Sequence, residues 1–169
     1  MKHRKYNLLG RFMKRYLRKI VPVLLLTVFC YQNALAAGIY SHIVLDLPGR
    51  LERMDPWVKI IKTREEWVQL YDELTAVLSE ADPLPEIDFG SFQLIVGGIG
   101  ARSTGGNSLL VQGIYESDHG IAIYILDVIP GAHCSAIAVI DYPMTAFLIR
   151  KTEKPMNFYV QHAQTECSD

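Results

Sequence analysis

The chain has 169 residues, a length that suits one domain and hardly two, and its 17 Lys and Arg nearly balance its 18 Asp and Glu. That balance hides a segregation, because eight of the basic residues and none of the acidic ones fall in the first 36 positions, leaving residues 37–169 with a net charge of −9. A charge of this sign argues against nucleic acid and against an anionic membrane surface as partners, since both select basic surfaces.

Residues 1–36 read as an export signal. Lys2, Arg4, Lys5, Arg11, Lys14, Arg15, Arg18 and Lys19 form a basic n-region, residues 20–29 an apolar h-region, and Ala34-Leu35-Ala36 a small-residue cleavage site. The apolar run falls short of the ~20 residues that span a bilayer, so a cleaved leader is expected rather than a retained anchor, with no stable membrane span after cleavage. Phe29 before Cys30 does not fit a lipoprotein signal. The expected location of the mature chain is the periplasm or the cell exterior. Two cysteines then remain, Cys134 and Cys167. In an oxidising compartment an even pair favours a disulfide, with free thiols as the alternative.

Residues 37–56 read as an N-terminal extension, with strand character at 40–47 and a turn at Pro48-Gly49. The main domain is expected over 57–169. It opens with a short strand at 57–62, followed by Thr63-Arg64-Glu65-Glu66, a capping box in which the Thr63 hydroxyl and the Glu66 carboxylate each accept from the other's backbone amide. Trp67, Leu70, Tyr71, Leu74, Val77 and Leu78 follow at three- and four-residue steps, the stripe of an amphipathic helix of about four turns ending near 79–82, before Pro83 and Pro85. Residues 92–99 alternate as a strand, with Phe92, Leu94 and Val96 on one face and Gln93 and Ile95 on the other. Residues 107–115 and 121–129 form two more strands around a hairpin turn at 117–120, the second apolar on both faces and therefore central. Further strands are expected at 136–140, 145–151 and 158–162. One helix followed by consecutive strands predicts an α+β fold, one main helix packed on an antiparallel β-sheet.

No complete catalytic constellation is visible. The Gly-rich stretch 97–106 lacks the G-K-[ST] of a phosphate loop and the third glycine of a dinucleotide fingerprint. A bulged strand end or turn explains it, and Arg102, Ser103, Thr104, Gly105, Gly106 and Asn107 form the candidate partner-binding loop, since arginine is common among interface anchors. His42, His119, His133 and His162 lack metal-ligand spacing, the acidic loop of Asp82, Glu86 and Asp88 lacks the order of a calcium loop, and no nucleophile elbow occurs, so neither a cofactor nor a metal is expected. The competing reading is a hydrolase of unrecognised class using His133 with Asp127 or Asp141.

Residues 58–153 resemble the PrcB C-terminal domain, a family of exported bacterial proteins named for a protease-complex subunit. The resemblance is carried by Thr63-Arg64-Glu65-Glu66-Trp67, Leu70-Tyr71, Ile87-Asp88-Phe89, Leu94-Ile95-Val96 with Gly100, Arg102-Ser103-Thr104-Gly105-Gly106, Asp141-Tyr142-Pro143 and Ile149-Arg150-Lys151. Asn107 departs from the aromatic residue usual after the two glycines, and the Cys134 and Cys167 pair lies outside the family pattern. The resemblance implies a non-catalytic domain that associates with or stabilises an exported protease, or simply an extracytoplasmic protein-binding module. More loosely, the Thr-Gly-Gly turn is similar to the loops of immunoglobulin-like cysteine-protease inhibitors, which implies an inhibitor presenting residues 102–107 as the alternative.

Overall fold

The computed structural model describes residues 38–80, 82–135 and 137–167, so the expected export signal lies outside the described residues. The described chain is α+β: eight strands and one short helix. In chain order these are β1 (Gly38–Ile39), β2 (His42–Leu45), β3 (Trp57–Ile61), α1 (Arg64–Thr75), β4 (Phe92–Gly98), β5 (Ser108–Ser117), β6 (Gly120–Pro130), β7 (Met144–Arg150) and β8 (Met156–Thr165). The strands form two four-stranded sheets, ordered β1-β5-β6-β8 and β2-β7-β4-β3, rather than the single sheet expected from sequence. The reason lies in β4 and β7, which are apolar on both faces. Leu94, Val96 and Ala146 pack against α1, while Ile95, Phe147 and Ile149 pack against Ile114, Ile121, Ile123 and Ile125 of the other sheet. One helix covers one face, and the second sheet must cover the other.

The capping box forms as the sequence predicts. The Glu66 amide donates to Thr63 Oγ1 at 3.2 Å, and the Thr63 amide donates to Glu66 Oε2 at 3.3 Å. Trp67, Leu70, Tyr71 and Leu74 are buried. The helix stops at Thr75, a turn or more before the expected end, and leaves Val77 86% exposed. Thr75 Oγ1 donates back to the Tyr71 carbonyl at 2.8 Å, a bond that competes with helix continuation, and the Leu78 amide closes a turn onto the Thr75 carbonyl.

All sheet pairings are antiparallel except one. The β8 strand lies parallel to β6, over a register from Ile121↔Met156 to Pro130↔Thr165. The chain leaves β6, crosses through β7 in the other sheet, and returns beside β6 in the same direction, which is why a hairpin geometry is not required. In β5 a bulge between Val111 and Gly113 inserts one residue. It switches the inward positions from Leu109 and Val111 to Ile114, so both halves of a ten-residue strand reach the same core.

Residues 38–56 belong to this architecture: β1 pairs with β5, β2 pairs with β7, and Leu51 is buried in the core under α1. Because β1 and β2 sit in different sheets only two residues apart, they close one flank of the sandwich. Tyr40 at the corner donates its amide to Ile114 in one sheet and its hydroxyl to the Arg150 carbonyl in the other, at 2.8 and 3.0 Å. The opposite flank is bordered by β3 and β8, the edge strands of the two sheets, and among the described residues no strand links the sheets there. Val58 and Ile60 on β3 and Val160 on β8 are exposed there.

Candidate functional site

Two features converge at the end of the sandwich where β4, β6 and β8 finish. The first is a pair of joined loops. Gly100 turns with φ +84° directly against the Met54 carbonyl, where a Cβ would clash, and the Ala101 amide donates to that same carbonyl at 3.1 Å. Arg102 then pairs with Asp141 in an isolated antiparallel bridge, the amides donating in both directions at 2.8 and 3.0 Å. The Gly105 amide donates to the Ile137 carbonyl at 2.9 Å. Asn107 donates through Nδ2 to the Thr104 carbonyl and to Asp141 Oδ2. The position that departs from the family resemblance is therefore a polar clamp in this chain. Residues 102–107 are zipped onto residues 137–141, with Ser103, Thr104 and Gly106 exposed at the tip.

The segment expected as a strand at 136–140 forms no strand among its described residues; it is the loop partner in this zipper. Among the described residues no strand covers it, and Ile137, Val139 and Ile140 are 76%, 46% and 56% exposed. Gly105 lies against Val139, where a Cβ would stand 3.0 Å from Cγ1. The two loops thus present three branched aliphatic side chains beside the Thr104 tip.

The second feature is a buried carboxylate. Asp127 faces inward on β6, with no solvent exposure. Its Oδ2 accepts from Arg102 Nη2 at 2.8 Å and lies 2.9 Å from His162 Nδ1. Its Oδ1 is buried with no hydrogen-bond partner among the described residues. Asp127 and His162 are register partners on β6 and β8, so the parallel pairing itself sets them side by side. The Arg102 guanidinium, expected to reach outward, is turned back to neutralise this buried charge and is about one-third exposed. A carboxylate removed from water needs such a partner.

The histidine that meets Asp127 is His162, not His133. His133 lies on an exposed turn, and no hydrogen bond joins it to Asp127 or Asp141 among the described residues. Asp141 is occupied otherwise: it accepts from Asn107 and from the Tyr142 amide. His162 makes its side-chain hydrogen bond to Asp127, and no hydroxyl or thiol is bonded to its other nitrogen among the described residues. Cys134 and Cys167 are joined by a disulfide, with Cα atoms 5.2 Å apart, which ties the end of β8 to the turn after β6. Among the described residues no group of three or more His, Cys, Asp or Glu side chains is arranged to hold a metal ion, and no helix is long and apolar enough to cross a membrane.

Two residues further along the inward faces of β6 and β8 the surroundings become apolar. A pocket of about 340 Å³ lies between the sheets at the open flank, with Ile95, Ile125 and Phe147 at its floor and Val58, Phe158 and Val160 toward its rim. Gly97 on β4 and Thr145 on β7 are register partners in its lining, and at Gly97 a Cβ would stand 3.0 Å from the Trp57 carbonyl oxygen, so glycine there lets β3 approach closely.

His162 and the pocket escaped the sequence reading for one reason: both depend on which strands become neighbours and in what register. A usable signal was present in Asp127, an acidic residue interrupting an otherwise apolar strand. Neither a family model nor a curated protein nor a solved structure matches this chain.

Proposed function

We propose that the protein is a non-catalytic, exported protein-binding domain that docks through the joined loops 102–107 and 137–141, and that its partner is an exported protease. The observation that carries the docking surface is the exposure of Ile137, Val139 and Ile140 on a loop held by backbone hydrogen bonds to its neighbour. Exposed aliphatic side chains on a loop of fixed shape offer burial on docking with little ordering to be done. The choice of a protease rests on the resemblance of residues 58–153 to the PrcB C-terminal domain. The net charge of −9 over residues 37–169 favours a partner with a basic rim, by steering encounter.

The test is affinity capture with the full tagged chain from an envelope extract of the source cells, in parallel with Ile137→Asp/Ile140→Asp and Arg102→Ala variants. The double variant should keep its thermal midpoint, because exposed positions contribute about 0.5 kcal/mol or less, and should lose the captured protease. Capture of the same protease at undiminished yield by the folded double variant would refute the surface. Assay of the captured protease with and without the domain then separates a stabiliser from an inhibitor.

A further inference from the structure

We propose that the pocket between the two sheets is a binding site for a small, uncharged, predominantly apolar molecule of about ten carbon atoms, such as a medium-chain alcohol or a phenol. Size gives the first bound. A dry cavity of about 150 Å³ takes one benzene ring, and the volume here, about 340 Å³, is roughly twice that. Chemistry gives the second. Ile95, Leu109, Ile125, Phe147, Phe158 and Val160 supply apolar walls, Thr145 contributes a hydroxyl, and no charged residue is among the described residues of the lining. A carboxylate buried here would lose its hydration without a cation to replace it. It would also lie near Asp127, the next inward side chain on β6 after Ile125, whose Oδ1 has no partner among the described residues. A hydroxyl suffers neither penalty and can bond Thr145.

Access is also built in. The pocket opens on the β3/β8 flank, where Val58 and Val160 stand half-exposed at the rim, whereas the β1/β2 flank is closed. The floor is made of fully buried side chains anchored in both sheets, so the cavity is preformed and does not depend on loop closure. This site is separate from residues 137–141, and it stands or falls independently of the protein-docking surface.

The experiment is calorimetric titration of the full chain with 1-octanol and, at pH 8, with octanoate. Octanol should bind at one site per chain, about tenfold or more tighter than octanoate. Absence of saturable octanol binding overturns the site, and equal affinity for the two overturns the uncharged class. Thr145→Phe places a ring in the pocket lining and should abolish octanol binding. Val58→Phe, at the exposed rim, narrows the mouth with less risk to folding and should weaken binding at least fivefold. If both variants hold the native thermal midpoint and bind octanol as the parent does, the ligand lies elsewhere and the assignment fails. The Ile137→Asp/Ile140→Asp variant should bind octanol unchanged.

Discussion

The two layers on either side of β4 and β7 are built to different standards. Under α1 the core is closed. Trp67, Leu70 and Leu74 are fully buried, and the polar ends of the aromatic residues are satisfied, Trp67 Nε1 donating to the Pro85 carbonyl at 3.0 Å and the Tyr71 hydroxyl to the Asp82 carbonyl at 2.6 Å. Between the sheets the core contains a buried carboxylate, one of whose oxygens has no hydrogen-bond partner among the described residues, and a pocket. Packing at near-crystalline density is what stabilises a small domain. A layer that departs from it, in a molecule able to pack well a few ångströms away, gives up stability that the closed layer keeps.

The sharpest way to break this contrast is to truncate one residue in each layer. Trp67→Ala should destabilise by about 3–5 kcal/mol in urea unfolding, because it removes a fully buried aromatic and leaves the Pro85 carbonyl unpaired. Phe158→Ala, at the rim of the pocket, should fall well below that range, since its ring already borders empty space and solvent. Equal losses would mean that the layers are equally well packed. The next largest effect is expected from the Cys134–Cys167 disulfide, which holds β8 against the turn after β6. Reduction should lower stability by about 3–4 kcal/mol on loop-entropy grounds for a closed segment of this length. It should also loosen β8, the strand that forms one wall of the pocket, before it loosens α1. Amide exchange read separately for β8 and α1 measures that order, and simultaneous exchange would contradict it.

A smaller loss is expected from Asp127→Ala. Breaking a fully buried ion pair costs about 3–5 kcal/mol. Here Arg102 and His162 are partly exposed and can turn to water, and the substitution also removes an unsatisfied oxygen, so about 2 kcal/mol is expected in chemical denaturation. A stabilised variant would show that the buried charge is held at a net cost. The same variant frees Arg102, which would sharpen the assignment of the loop tip if capture of the protein partner changed.

The closed layer was legible in the sequence and the open layer was not, and the physical reason is range. The capping box and the Trp67, Leu70, Tyr71, Leu74 stripe are local patterns with a period, readable within a dozen residues. Individual strands were legible on the same ground, down to the opposite faces of Leu94 and Ile95. The pairing of Asp127 with His162, and of Gly97 with Thr145, joins residues 35 and 48 positions apart through registers that no local pattern specifies. Continuation of the helix stripe to Val77 and Leu78 failed as an expectation because apolar spacing does not register the competing Thr75 hydroxyl. Residues 136–140 carry strand-like composition, yet among the described residues no strand pairs with 137–140, and Ile137, Val139 and Ile140 remain exposed.

The smallest predicted effect concerns the open flank itself. Its far end is bridged by an ion pair between Lys62, which follows β3, and Glu153, in the turn that leads into β8, at 2.8 Å. The hydrogen bond from Lys62 and then its charge hold the Glu153 carboxyl below its ordinary value. The Asp88 carboxyl, in the turn before β4, is also held low, first by a hydrogen bond from the Ser91 side chain and then by the Gly90 amide. A depressed folded-state value means that each group contributes stability above its unfolded value and loses it as the pH falls through the folded one. Stability should therefore decline slightly in acid, below the ordinary carboxylate range. Glu153→Gln should remove its own share of that decline and be indistinguishable from the parent once the pH lies below the folded value. Because Glu153 is largely exposed, the effect should shrink in 0.5 M salt, whereas the losses on Trp67→Ala and on reduction of the disulfide should not. A salt-independent acid decline would place its origin in the hydrogen-bonded turn around Asp88 rather than in the Lys62–Glu153 pair.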